Sequence, residues 1–337
     1  MSQYKDELSK VIEYTISNDE VELSVLNFGA TVTSIRTKDK DGKVENILAS
    51  FDDVESYFSK PGPYLNAMVG PVAGRIGYGQ YSINGEVHSL SINNGKNHLH
   101  GGTSGISKQF FNVEKDTNSI TLTLDTDHDV DGFTGTYHYE IKYILNKNTL
   151  TIEAKCTPEN KTILNMTSHM YFNLSGELKN SINEHLLTLP ASKKTKIHED
   201  GQPCCIMPII EGSAFDFRTA KLIGRNFEIG DEEFNITRGY DTAFVLNGDE
   251  PIELVDKESG RTLEIHTDQK SVVVYSANYF DDDLTLNEGR KGYPFSCLAM
   301  ETQDTPNGIN IEGVSTKIYD KDTPYNQKTT YIFGIIE

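Results

Sequence analysis

The stretch LNMTSHMYFNL, residues 164–174, decides the fold class. Leu164, Met166, Ser168, Met170, Phe172 and Leu174 fall on one face of an extended chain, and Asn165, Thr167, His169, Tyr171 and Asn173 on the other. The first face is apolar apart from Ser168. The second is a row of neutral hydrogen-bonding groups with no Lys or Glu. A period of two predicts a strand on a half-buried sheet. A solvated face would alternate in the same way. Yet an imidazole among uncharged polar groups also suits a cleft for an uncharged polar ligand.

Outward from this stretch the same period recurs in VELSV (21–25), TLTL (121–124), YEIKY (139–143) and LTIEA (150–154). Asp41-Gly42, Asn84-Gly85, Asn94-Gly95 and Asn247-Gly248 punctuate the runs as tight-hairpin signals, since each offers residues that tolerate positive φ. Roughly eighteen candidate strands follow, spaced as in a sandwich or barrel. Short helical turns are expected at 53–58 and around 219–225. Without βαβ alternation a doubly wound parallel sheet is excluded. Neither a repeat nor a Pro/Gly/Ser-rich linker divides the chain. The expectation is all-β: one domain over 1–337, a large antiparallel β-sandwich with few short helices.

The 337 residues carry 50 acidic and 31 basic side chains, for a formal net charge of -19. Such a chain repels polyphosphates, which argues against nucleic acid or an anionic membrane as main partner. The cysteines, Cys156, Cys204, Cys205 and Cys297, make no CxxC and no zinc-ribbon spacing, which fits a reduced, cytoplasmic protein. The first ten residues carry Lys5, Asp6, Glu7 and Lys10 and lack a signal-peptide apolar core. No apolar run approaches membrane-spanning length.

Four further stretches hold groups capable of chemistry. In GPVAGRIG (70–77), glycines allow close backbone approach and Arg75 stands among small and apolar neighbours. A structural arginine would look the same, and neither GxxxxGK[ST] nor GxGxxG is present. In NHLHGG (97–102), His98 and His100 would point the same way on a strand, as in a His-x-His metal site, but no third ligand is evident. Gly101 and Gly102 suggest instead a sharp turn after His100. Asp241 opens the apolar run DTAFVL and reads by default as a turn or capping residue. Glu301 follows LAM, which makes it a partly buried carboxylate in need of a partner or a task.

Together these segments resemble the aldose 1-epimerase, or galactose mutarotase, family. The resemblance is carried by AGRI (73–76), LHGG (99–102), NMTSHMYFNL (165–174), FDFR (215–218), GYDTAFVL (239–246), SANYF (276–280) and METQDTPNGIN (300–310), in the family's order and spacing. It implies that fold and a cofactor-free interconversion of the anomers of a free monosaccharide, galactose or glucose, by a monomer or homodimer. It further implies His169 as general acid, Glu301 as general base and His100 as a hydrogen-bonding assistant. Arg75 and Asp241 would hold sugar hydroxyls, Tyr171 would line the pocket, and Tyr279 or Phe280 would stack on the sugar. His98 lies outside the motif, as an incidental loop residue. The family commonly reads GRxANRI where this chain has GPVAGRI, so Pro71 replaces an arginine and Gly74 an asparagine that could have met a sugar hydroxyl.

The chemistry asks for these types. The anomeric hydroxyl must lose a proton while the ring oxygen gains one, so one group starts deprotonated and its partner protonated. Glutamate and histidine, with ordinary pKa values of about 4.3 and 6.5, lie close enough to be tuned into that relation. Competing expectations are a non-catalytic carbohydrate-binding sandwich, a metal-dependent sugar isomerase using His98 and His100, and a glycoside hydrolase using Asp241 and Glu301. A sugar-phosphate epimerase is disfavoured because no Lys/Arg cluster accompanies the motifs.

Overall fold

A computed structural model describes residues 4–336; residues 1–3 and 337, the ends of the expected 1–337 domain, lie outside the described residues. Two antiparallel sheets carry the architecture. The larger runs, in spatial order, through Asn112–Lys115, Ser119–His128, Phe133–Asn146, Thr149–Pro158, Tyr325–Ile335, Arg261–Thr267, Ile252–Val255, Leu186–Thr188 and Lys221–Leu222. The smaller runs through Tyr171–Phe172, Leu298–Gln303, Ser271–Tyr275, Asp241–Leu246, Ala191–Ile197 and Pro203–Pro208. A four-stranded sheet built from Glu13–Ser17, Val21–Leu26, Val32–Lys38 and Val44–Asn46 leans on the larger one, where the Tyr143 hydroxyl donates to the Ala30 carbonyl at 2.6 Å.

The faces of the two large sheets meet in one core. Leu298, Met300, Val272, Val274 and Phe244 of the smaller sheet share a buried cluster with Ile152, Ala154, Leu263, Ile265 and Tyr331 of the larger. Burying each large side chain contributes roughly 1.5–3 kcal/mol before entropy is set against it. Because side chains alternate, the next residue along each strand faces away from that core. Tyr171, Asp241, Ala243, Val273, Tyr275, Glu301 and Gln303 thereby line a cavity on the outer side of the smaller sheet. Strand periodicity assembles the site.

The stretch 164–174 is not one strand. Thr167–Ser168 pairs with Met68–Val69, and Tyr171–Phe172 pairs with Leu298–Gln303 in a different sheet. Both faces are buried throughout, so the solvated-face alternative fails. The chain can change sheets because Asn66 stands in for a ladder. Its side chain accepts from the Tyr171 N–H at 2.9 Å and donates to the Ala49 carbonyl at 2.7 Å, which satisfies both of those backbone groups where the chain leaves one sheet for the other.

Asn84-Gly85 closes a hairpin between Gln80–Ile83 and Glu86–Ser89, and the turn after Lys38 contains Asp41-Gly42. Asn247-Gly248 does not close one. It leads from the smaller sheet into Ile252–Val255 of the larger, and Asn247 Oδ1 accepts from the Ser192 N–H and hydroxyl at 3.0 and 2.7 Å. Among the described residues eight of the twenty-seven strands are only two residues long, too short to show periodicity, and they account for most of the excess over the roughly eighteen expected. Within 53–58 only Ser56 onward is helical, in Ser56–Ser59 behind an Asp53 turn, and the turn expected near 219–225 becomes the helix Ile223–Ile229. The helix Glu232–Thr237 was not anticipated, although Asp231, whose side chain accepts from the Glu233 N–H at 2.9 Å, is a readable N-cap. Among the described residues no helix is long and apolar enough to cross a membrane.

Candidate active site

All seven expected site residues, Gly74, Arg75, His100, His169, Tyr171, Asp241 and Glu301, line one cavity of about 420 Å³. That volume falls in the range of about 300–1,000 Å³ usual for small-molecule sites.

Its chemical centre is a contact between His169 and Glu301, with Nε2 to Oε1 at 3.3 Å and both side chains almost wholly buried. Burial disfavours charge on either partner. It pushes Glu301 up to about 8, helped by the negative Asp241 nearby, while the Gln303 amide and Arg75 pull the other way. Burial likewise pushes His169 down to about 4. Between those limits the pair holds one exchangeable proton, and at rest these directions place it on Glu301. The arrangement implied by the resemblance, with His169 protonated and Glu301 ionised, has the same proton count and is reached by transfer along the 3.3 Å contact.

Gln303 was missed at the sequence level, yet a period of two places it on the Glu301 face. Its Nε2 donates to Glu301 Oε2 at 3.3 Å, and its Oε1 accepts from Asn165 Nδ2 at 3.2 Å. Asn165 Oδ1 in turn accepts from the Asp304 N–H at 2.8 Å, so a chain of amides fixes the carboxylate.

Two short strands, Arg75–Ile76 and His98–Leu99, set the opposite wall. His100 follows the second at φ 52, which turns its imidazole away from that of His98. The Gly74 N–H donates to His100 Nδ1 at 3.2 Å. Burial and the neighbouring His169 and Arg75 hold His100 well below the usual imidazole range, so the ring is neutral. With Nδ1 accepting, Nε2 carries the hydrogen and is a donor. Gly74 itself sits at φ 73, and a Cβ there would stand 2.7 Å from Pro306 Cβ. A side chain at this position would require Pro306 to shift, and the contact Gly74 makes here is through its backbone N–H.

Arg75 Nε donates to Asn94 Oδ1 at 3.0 Å, and its Nη1 lies 3.8 Å from Asp241 Oδ2. Gly201 packs flat on the guanidinium, with an added Cβ only 3.1 Å from Cζ. Burial raises the Asp241 carboxyl against the pull of Arg75.

Tyr171 backs the histidine. Its ring stacks 4.9 Å from that of His169, and its hydroxyl is committed to the Pro63 carbonyl at 2.8 Å. Tyr64, unmarked by any sequence pattern, covers both imidazoles, 4.6 Å from His100 and 6.4 Å from His169. Both stacking candidates line the cavity: Phe280 is buried, packed 5.1 Å from Tyr171, and Tyr279 is 52% exposed at its mouth.

The two histidines of NHLHGG part company. His98 is not an incidental loop residue but fully buried, with Nδ1 2.8 Å from the Ser91 carbonyl and its ring edge-on to Phe133. Among the described residues no group of three or more His, Cys, Asp or Glu side chains could hold a metal ion.

An antiparallel supersandwich with a buried His–Glu contact on the wall of its cavity is the arrangement of a class, the sugar isomerases of mutarotase-like fold. Residues 13–331 match the family model described as aldose 1-epimerase, and the chain belongs to that family. It is 34% identical to an aldose 1-epimerase of Haemophilus influenzae over 87% of each chain. It is 29% identical to the galactose mutarotase of Bos taurus over 96% of this chain and 94% of the other. A galactose 1-epimerase structure from Lactobacillus acidophilus superposes with a TM-score of 0.84 at 27% identity, covering 97% of this chain and 95% of that one. A GalM/aldose epimerase homologue from C. elegans, at 23% identity, shares the fold with a TM-score of 0.89 over 97% and 100%.

Proposed function

We propose that this protein interconverts the α and β anomers of free hexoses, galactose and also glucose, by acid–base catalysed ring opening and closure. The observation that carries the proposal is the buried His169–Glu301 contact at 3.3 Å on the wall of a cavity that also presents His100, Arg75 and Asp241.

In the forward step one member of the pair takes the proton of the anomeric hydroxyl. The C1–O1 bond gains double-bond character as the C1–O5 bond breaks, and the freed electron pair on O5 takes the proton held by the other member. Rotation about C1–C2 presents the opposite face, and closure runs the same transfers in reverse. In the assignment that matches the family, Glu301 works at O1 and His169 at O5. His100 supplies an N–H to a sugar oxygen, and Arg75 with Asp241 pins the remaining hydroxyls while C1 turns. Each proton-transfer group contributes ~10²–10⁴-fold.

The charge lining favours a neutral sugar over a sugar phosphate. Asp241 and Asp281 line the cavity, and among its described lining residues Arg75 is the one permanently charged cation. The test is polarimetry of freshly dissolved α-D-galactose and α-D-glucose, with calorimetric sugar binding measured in parallel. Wild-type protein should relax the rotation fast, and Glu301→Gln should bind sugar while leaving relaxation at the background rate. Binding with no acceleration by wild type would make the protein a carbohydrate-binding sandwich instead.

A further inference from the structure

Two sulfurs at the edge of the smaller sheet stand outside everything described so far. Cys204 and Cys205 are adjacent on the outermost strand, Pro203–Pro208, and on a regular strand successive side chains point to opposite faces. Here the register breaks: Lys196 pairs with Cys205 and Ile197 with Pro203, so Cys204 is the extra residue of a β-bulge. The bulge swings its side chain round until the two Sγ atoms lie 3.9 Å apart. Cys205 is exposed and Cys204 partly so, while Cys156 and Cys297 are buried. The Cys204 thiol also donates to the Lys196 carbonyl at 3.4 Å, which fixes its direction.

This spacing suits a bridging atom better than a direct bond. A disulfide needs about 2.05 Å between sulfurs and usually 4.4–6.8 Å between Cα atoms. Neighbouring residues across a trans peptide are held about 3.8 Å apart, so direct closure would be strained. The donor set narrows the choice of atom. No third Cys, His, Asp or Glu joins the pair in metal-binding geometry among the described residues, so zinc, which wants four ligands, is poorly served. Two soft sulfurs suit a thiophilic centre that brings its own third substituent.

We propose that Cys204 and Cys205 form a bidentate site for a trivalent organoarsenical. With an arsine oxide, R–As=O, two As–S bonds form while the As–O bonds and both S–H bonds break. The oxygen leaves with the two thiol protons as water, and no electron is transferred to or from the protein. The site flanks Pro203, which lines the sugar cavity, but binding there does not depend on the proposed isomerase activity.

Phenylarsine oxide and the full-length reduced protein test this by native and denaturing intact-mass measurement. One phenylarsine unit per chain should add at equimolar reagent. A small dithiol such as 2,3-dimercaptopropanol should strip it, and excess monothiol should not. Cys204→Ser and Cys205→Ser, both at accessible positions, should each abolish the monothiol-resistant adduct, with circular dichroism confirming the fold. An adduct that survives in either variant, or that monothiol removes from wild type, would overturn the proposal. So would a protein that closes a Cys204–Cys205 disulfide in air and takes up no arsenical.

Discussion

Glu45 and Glu301 are both 3% exposed, and their surroundings send them in opposite directions. Around Glu45 stand three cations: Lys43 at 2.5 Å, Lys179 at 2.8 Å and the fully buried Arg261 at 3.1 Å. They outweigh the burial cost and hold its carboxyl down to about 2. Around Glu301 stand one imidazole, one amide, the acidic Asp241 and a single more distant cation, Arg75, and burial wins, up to about 8. Equal solvent exposure thus leaves one carboxyl ionised and the other raised toward neutrality, because Glu301 lies deeper among uncharged atoms and lacks the cations that ring Glu45. What separates the two carboxyls is depth of burial together with the charge supplied by their neighbours.

Substitution should pull the two apart most strongly. Glu301→Gln is expected to lower the mutarotation rate by ~10²–10⁴-fold without lowering stability in urea unfolding at neutral pH. Glu45→Gln is expected to keep the rate per folded molecule and to cost about 3–5 kcal/mol in urea unfolding, because Arg261 is left buried without its partner. A stable, active Glu45→Gln would break the contrast. His169→Asn should match Glu301→Gln in polarimetry, since either change removes one end of the same proton exchange.

The pH dependence of stability should carry opposite signs. The ordinary value for both carboxyls is near 4.5. Glu45 is depressed in the fold, so its contribution is full above 4.5 and is lost as the pH falls through about 2. Glu301 is raised, so its contribution is full below 4.5 and is lost as the pH rises through about 8. Urea midpoints of wild type minus Glu301→Gln should therefore decline from pH 5 to 9. Midpoints of wild type minus Glu45→Gln should decline from pH 5 to 2. The smallest effect belongs to Gln303→Leu. Losing one amide donor, worth about 1 kcal/mol, should raise Glu301 further and move the alkaline limb of the pH–rate profile upward.

Much of this was legible in the chain. Period-two alternation marked the long strands, and the family motifs named side chains that turn out to share one cavity. The sheet change at His169 was not legible, because it rests on Asn66, a hundred residues away in sequence, supplying hydrogen bonds that alternation cannot reveal. Asn247-Gly248 carried a hairpin signal, but turn chemistry does not say which sheet the chain enters next. His98 looked like a loop residue because nothing local announces Phe133 packing over it. Tyr64 was missed for the same reason: its role is contact with two imidazoles from separate segments. The close approach of Pro306 to Gly74 joins residues 232 apart in sequence, and no local pattern announces it.

The central claim is that His169 and Glu301 share one proton and work only while they hold it. The pH–rate profile for anomer relaxation of α-D-galactose, followed by polarimetry, tests it most directly. A bell with limbs near 4 and 8 is predicted, since below the first both groups are protonated and above the second neither is. A rate that keeps rising through pH 9, or one that Glu301→Gln leaves unchanged, would contradict it.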